Sequence, residues 1–424
     1  MIEVTNLILG AGISGLGASY ALHKKGKQSV VIEKDDTYGG LCSCFDINGF
    51  RFDRFVHLSF SSIDEVNKMF NESCPDIYRH TPNAFNLYKG IWVKHPAQNN
   101  LFPLPEEEKR LIIRDFLKRP SIDGAVVKNY DDWLRLQFGD YFAEHFPMVY
   151  TRKYWMKDAK ELRTEWVGTR VYQPSVEEVI AGSKTTDTPV TYYAKEMRYP
   201  QRGGYKAFLK KLADEADIRY GLRVTGIDHV NKIVYFENGD SAQYERLISS
   251  LPIPEVIEMC NAPDEVRVAS KKLEATSGYH ISIGLKTNNI PPYLWWYIYD
   301  EENLASRVYS PSLKSPDNVP EGCSSLQMEV YCKENEYSDD ELFERTVGHL
   351  VRSGIINKDD ILFTHIGFEK YANIIFTEPI YQARTIVREW LSSVGVETIG
   401  RFGEWDYLWS DQCLISGMNM INKI

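Results

Sequence analysis

A short apolar run, Val4 to Leu9, breaks into Gly10-Ala11-Gly12-Ile13-Ser14-Gly15 and resumes as the small, apolar stretch Leu16 to Leu22. That order is strand, tight turn, helix. Gly10 permits the turn, Gly12 lets the backbone approach a pyrophosphate, and Gly15 allows close helix packing. The helix N-terminus then offers unpaired N–H donors to phosphate oxygens. A second strand, Ser29 to Ile32, ends at Glu33, where a carboxylate can take both hydroxyls of an adenosine ribose. Few folds other than a Rossmann-type dinucleotide domain satisfy all of these positions together.

The continuation Glu33-Lys34-Asp35-Asp36-Thr37-Tyr38-Gly39-Gly40-Leu41-Cys42-Ser43 resembles the second glycine turn of the glutathione-reductase-like flavoproteins, and favours FAD over NAD as the bound dinucleotide. Gly39 and Gly40 would let backbone pass the ribityl-pyrophosphate. A hairpin-like stretch, Asn48 to Asp53, leads on to His57, which this topology delivers close to the flavin ring.

The chain is 424 residues long, 43% apolar and 25% charged, so two or three domains of an ordinary globular protein are expected. A net charge of −10 supplies no footprint for nucleic acid or an anionic membrane. No apolar run approaches the roughly 20 residues of a membrane helix, and Met1-Ile2-Glu3-Val4 reads as a strand start rather than a leader, so membrane insertion is not expected and the expected location is cytoplasmic. Seven scattered cysteines read as reduced thiols, with no metal-ligand spacing.

Strand-like runs return at Asp217 to Tyr220, Arg223 to Ile227, Ile233 to Phe236 and Arg246 to Leu251, with Asn238-Gly239-Asp240 as a hairpin turn. Helical patterns occupy Glu106 to Leu117 and Ser175 to Ile180. Alternation at Ile281 to Leu285 and Leu326 to Val330 predicts a second sheet, with helices over Ser338 to Ser353 and Tyr381 to Val394. The expected architecture is α/β: a discontinuous glutathione-reductase-like Rossmann domain from 1–99, 196–265 and 396–424, an inserted helical cap at 100–195, and a mixed, largely antiparallel substrate sheet at 266–395.

Six further stretches occur in order: Trp92 to Asn100, Tyr150 to Trp155, Trp166 to Val171, Tyr199 to Gly204, Trp295-Trp296-Tyr297 followed by Arg307, and Gly400 to Tyr407 running on to Asp411-Gln412. Taken along its whole length, the chain resembles the UDP-galactopyranose mutases, nearer their eukaryotic-type branch, within the wider group of amine oxidase and protoporphyrinogen oxidase-like flavoproteins. In that family reduced FAD acts covalently rather than by net redox: its N5 attacks the sugar anomeric carbon as UDP leaves, and the sugar recloses as a furanose.

The resemblance implies an isomerase acting on a nucleotide sugar, UDP-galactose first, for surface polysaccharide or lipopolysaccharide synthesis. The alternative is an FAD-dependent oxidoreductase of the amine oxidase or protoporphyrinogen oxidase type. By resemblance Arg170 and Arg307 clamp the diphosphate and His57 adjoins the flavin. Tyr407 adds a hydroxyl, and Gln98, Trp155 and Tyr297 form the nucleotide end. Leu41, Ser43, Val224, Arg401, Asp411 and Gln412 touch FAD. No separate nicotinamide motif stands out, so NADPH or NADH as reductant would share the substrate cleft, and a homo-oligomer is left open.

Three places depart from the family pattern. Phe55-Val56 replace two glycines before His57. His95 stands where an aromatic hydroxyl helps hold uracil, and Thr151 where an asparagine sits. Asn373 falls at a diphosphate tyrosine, for which neighbouring Tyr371 is the expected substitute.

Overall fold

The computed structural model describes residues 2–121, 125–192 and 194–423; Met1, at the start of the first predicted strand, lies outside them. The first sheet runs Val224–Asp228, Ile233–Phe236, Ser241–Ser249, Ile2–Leu9, Val30–Ile32, Asp217–Arg219, with Val396–Thr398 also paired to Ser241–Ser249. Its centre is parallel, because the helix Ile13–Lys24 returns the chain across one face between Ile2–Leu9 and Val30–Ile32. Nearly every side chain from Ile13 to Leu22 is buried, since the carboxy-terminal helix Ser410–Asn419 covers the outer side. A methyl group at Gly417 would overlap the Ser14 carbonyl, so this helix pair packs backbone to backbone.

The second sheet has the order Ile361–Ile374, Ala275–Leu285, Ser324–Val330, Arg307–Tyr309, Trp295–Ile298, Ala84–Tyr88, Ile91–Lys94. It is antiparallel except where Trp295–Ile298 pairs parallel with Ala84–Tyr88. That pairing corrects the sequence-based boundary: the 84–94 hairpin, expected within the 1–99 piece, is hydrogen-bonded into the substrate sheet. The helix Ile380–Ser393, expected with the substrate sheet, instead packs Val387 and Leu391 into the core beneath the Rossmann sheet, against the Val396–Thr398 strand.

The inserted region is helical as the sequence predicts. Glu106–Lys118 starts after Pro105 with three glutamates in its first turn, which suit the positive end of the helix dipole. Tyr130–Phe138 is capped by the Asn129 side chain, and Val176–Gly182 by a reciprocal Ser175/Glu178 capping box. Asp140–His145 and Pro147–Trp155 complete the cap and place Tyr150, Tyr154 and Trp155 over the second sheet.

Candidate active site

The nucleotide end is built by two glycine turns held together. Gly39 N–H donates to Ala11 O at 2.9 Å, and a methyl at Gly40 would lie 3.3 Å from Gly12 Cα. Gly39 has φ +113°, which a residue with a side chain rarely adopts. A methyl at Gly15 would overlap Gly10 O, so this position is glycine for packing, whereas Gly12 faces open space. Glu33 accepts Ala11 N–H at 2.8 Å on one oxygen and Asp35 N–H at 3.0 Å on the other. Each carboxylate oxygen keeps a further lone pair for a hydroxyl.

Ser43, beside the second turn, is 1% exposed and its Oγ has no hydrogen-bond partner. An orphaned buried hydroxyl at such a cradle fits a polar ligand group. Val224 begins the strand that follows Leu222, whose N–H donates to Glu33 O, and so lies at the same end. These residues fit the adenosine and pyrophosphate of FAD.

A cavity of about 890 Å³ opens from Leu41 and His57 toward the cap. Of the predicted residues it gathers Leu41, His57, His95, Gln98, Thr151, Trp155, Arg170, Tyr297, Arg307, Asn373, Arg401 and Tyr407 in one wall. It does not gather Tyr371, which is corrected here: along its strand Ala372 and Asn373 meet the cavity, while Tyr371 packs against Phe402 and Trp405 at 5.9 and 6.2 Å. Asp411, in the first turn of its helix, accepts Gln412 N–H, and Gln412 lines a separate 370 Å³ cavity with Arg388 and Thr398.

The cations are held in different ways. Arg170 donates to Trp166 O and Tyr407 O, both at 2.8 Å, with its guanidinium 4.5 Å from the Tyr407 ring centre. Arg401 donates to Leu408 O and lies over the same ring at 5.4 Å. Arg307 donates Nε and Nη2 to Glu329 Oε2 at 3.0 and 2.6 Å, and neither bond uses Nη1. Neighbouring Glu329 and tyrosines hold the Arg307 guanidinium well above its ordinary range against the opposing effect of burial.

Tyr407 continues inward. Its hydroxyl is 3.4 Å from that of Tyr154, which donates to Asn373 Oδ1 at 3.0 Å. Burial keeps the Tyr154 hydroxyl protonated and so a donor. Thr151 Oγ1 donates back to Pro147 O, and Gln98 Nε2 donates to Tyr172 O. Trp155 is wedged edge-on among Tyr154, Trp166, Phe376 and Tyr407.

His95 is pushed down to about 3 by burial and is therefore neutral. Its Nδ1 lies 3.2 Å from Asn86 Oδ1, and its ring packs on Tyr297 at 4.8 Å. His57 is pushed down to about 4, again by burial, with Nδ1 3.1 Å from Phe55 O. Phe55 itself has φ +98°, so the backbone keeps a glycine-like conformation with a bulky side chain on it.

Sequence reasoning missed Tyr150, Tyr154, Tyr331 and Glu329. The first two lie in the quoted Tyr150-to-Trp155 stretch at helical spacing. Glu329 carries its own signal: it is the single charge in the fully buried strand Ser324–Val330.

The fold and the paired glycine turns are those of flavin-type enzymes: a Rossmann nucleotide domain joined to a sheet-and-helix substrate region. Residues 8–73 match a family model described as an NAD(P)-binding Rossmann-like domain. A crystal structure of reduced UDP-galactopyranose mutase superposes with TM-score 0.92 at 25% identity, over 99% of this chain and 96% of that one. A provisionally assigned protoporphyrinogen oxidase of Exiguobacterium superposes with TM-score 0.75 at 16% identity, over 99% and 98%. In sequence, the chain is 25% identical to a phytoene desaturase of Phycomyces blakesleeanus over 285 residues, 60% of this chain and 47% of that one. The alignment thus spans less than half of that relative. No helix among the described residues is long and apolar enough to cross a membrane.

Proposed function

We propose that this protein is a flavin-dependent isomerase of the UDP-galactopyranose mutase kind, interconverting pyranose and furanose forms of a nucleotide sugar, UDP-galactose first, for cell-surface polysaccharide synthesis. One observation carries the reading: the cavity wall bears Arg170, Lys195, Arg307 and Arg401 and, among the described residues, no Asp or Glu. A diphosphate whose charge grows as its glycosidic bond breaks needs preorganised cations and donors. Guanidinium forks suit phosphate oxygens. Tyr407 and Tyr154 add hydroxyl donors, and Tyr297 with His95 offers an apolar face for a base.

Glu33, Ser43 and the two glycine turns would hold FAD, with His57 and Arg401 toward its ring. When bound and reduced, that cofactor supplies a nucleophilic nitrogen to the anomeric carbon. Arg170 and Arg307 orient the leaving diphosphate, and the aromatic wall excludes water. NADPH or NADH, as reductant, would enter by the same cavity.

A second reading, an oxidoreductase on an apolar substrate, is favoured by the desaturase relative and by the inner wall of Tyr130, Phe138, Phe142 and Phe146. It leaves the cation set without a ligand charge to meet.

Arg170→Ala distinguishes the two. Losing a charge-assisted bond of about 1.5–3 kcal/mol should lower kcat/KM for the nucleotide sugar by roughly 10- to 150-fold, with FAD content unchanged. Unchanged turnover would remove Arg170 from the diphosphate site.

A further inference from the structure

Glu329 does not itself line the cavity, yet it bonds three residues that do, Arg307, Tyr331 and Val56. Its side chain is fully buried. Oε2 accepts both Arg307 bonds and the Tyr331 hydroxyl at 2.8 Å, while Oε1 accepts Val56 N–H at 3.0 Å. Val56 follows Phe55, whose backbone stands at φ +98° and whose ring stacks on Tyr331 at 6.0 Å. The turn is therefore joined to Glu329 twice, once through its backbone and once through Phe55 and Tyr331. The next residue, His57, lines the cavity.

We propose that Glu329 is a positioning residue that couples anion binding at Arg307 to the Phe55–His57 turn. The inference rests on the nucleotide-diphosphate reading above. An arriving phosphate competes with Oε2 for the Arg307 guanidinium. As that bond loosens, the carboxylate's charge is less fully compensated in a dry site, and its remaining bonds, to Val56 N–H and Tyr331, strengthen. A turn held in a sparsely populated conformation is the kind of element such a change can displace. Coupling so built acts in both directions, so the turn's position also sets affinity at Arg307.

The test uses the FAD-loaded protein, UDP as probe, and the change in flavin visible absorption at saturation as readout. Glu329→Gln keeps shape and an acceptor for Val56 but removes the negative charge that competes with UDP for Arg307. The expected result is retained FAD, retained UDP binding by calorimetry, and loss of most of the absorption change seen in the parent. A direct effect of UDP on the flavin, or a merely structural Glu329, would leave that change intact in a variant that still binds UDP, and this overturns the proposal.

Tyr331→Phe, which removes one bond and no charge, guards against misfolding of the glutamine variant. It should give a partial loss of signal, and a full signal there also overturns the coupling. A parent protein that binds UDP without any absorption change overturns the coupling alone. A parent that binds no UDP overturns the nucleotide reading first.

Discussion

Phe55 shows how single residues settle conflicts in this molecule. A positive φ at a bulky residue costs about 1–3 kcal/mol, and glycine would remove that cost. The ring, however, packs against Tyr331 and His280 with 6% exposure, and deleting a buried Phe costs about 3–5 kcal/mol. Packing wins. Phe55→Gly is expected to destabilise by about 2 kcal/mol in denaturant unfolding, and a stabilised variant would show that the strain dominates.

Lys314 poses a similar question in charge. It is fully buried, paired to Asp53, and sandwiched between Tyr199 and Tyr309, each 4.6 Å from its ammonium. Asp53 also accepts Tyr199 OH and Tyr205 N–H. Lys314→Met would strand a buried carboxylate and should cost about 3–5 kcal/mol. Adding Asp53→Asn should recover part of that loss; equal stability of the single and double variants would deny the pairing. Only part of this was legible. Glu33 and the glycines announce themselves by spacing along a few dozen residues, whereas Asp53 and Lys314 meet across 261 positions with no local pattern.

At the scale of elements, what the sequence displayed was periodicity. The strand at 326–330 and the helices at 106–117 and 381–394 appeared because one face of each is apolar, and the strand at 233–236 because its run is apolar throughout. Their partners did not. The 84–94 hairpin reaches the second sheet through a parallel pairing with Trp295–Ile298, and nothing in either strand names the other. Helix Ile380–Ser393 has one apolar face, which serves equally well under either sheet until the chain path through Val396–Thr398 decides. Likewise Tyr371 and Asn373 would share a face on a regular strand, but the register shift between Glu369 and Asn373 separates them, and only Asn373 of the two meets the cavity.

Three histidines are held neutral by desolvation, His57 and His95 in cavity-lining loops, pushed down to about 4 and about 3, and His280 in the buried strand Ala275–Leu285, pushed down to about 3. Unfolded, they take protons near pH 6.5, so between there and their folded values the unfolded chain binds more protons. Their contribution is complete above about pH 6.5 and is lost as pH falls toward 4 and then 3. Thermal midpoints should drop over that range. His280→Phe should flatten the pH dependence by at most about 1.4 kcal/mol per pH unit, and an unaltered slope would put the acid sensitivity elsewhere.

For the whole molecule, the distribution of charge matters more than its sum. The chain carries a net −10, yet its central cavity is lined by three arginines and a lysine with no carboxylate among the described wall residues. Arg307 is paired to Glu329 just behind the wall, so the field is set by the cations at the cavity surface, and low-dielectric walls concentrate it on whatever enters. Aromatic walls from the cap and the second sheet complete the chamber proposed to take a nucleotide diphosphate, at the edge of a domain whose glycine turns fit FAD. The fold alone hosts several chemistries, so the claim rests on that wall.

The most direct test is to reduce the FAD-loaded protein with dithionite and incubate it anaerobically with UDP-galactofuranose, following UDP-galactopyranose by chromatography. Conversion by the reduced protein, absent from the oxidised one and without net flavin oxidation, is the predicted result. A reduced, FAD-replete protein that leaves both this sugar nucleotide and other furanose nucleotides unchanged would contradict the mutase reading.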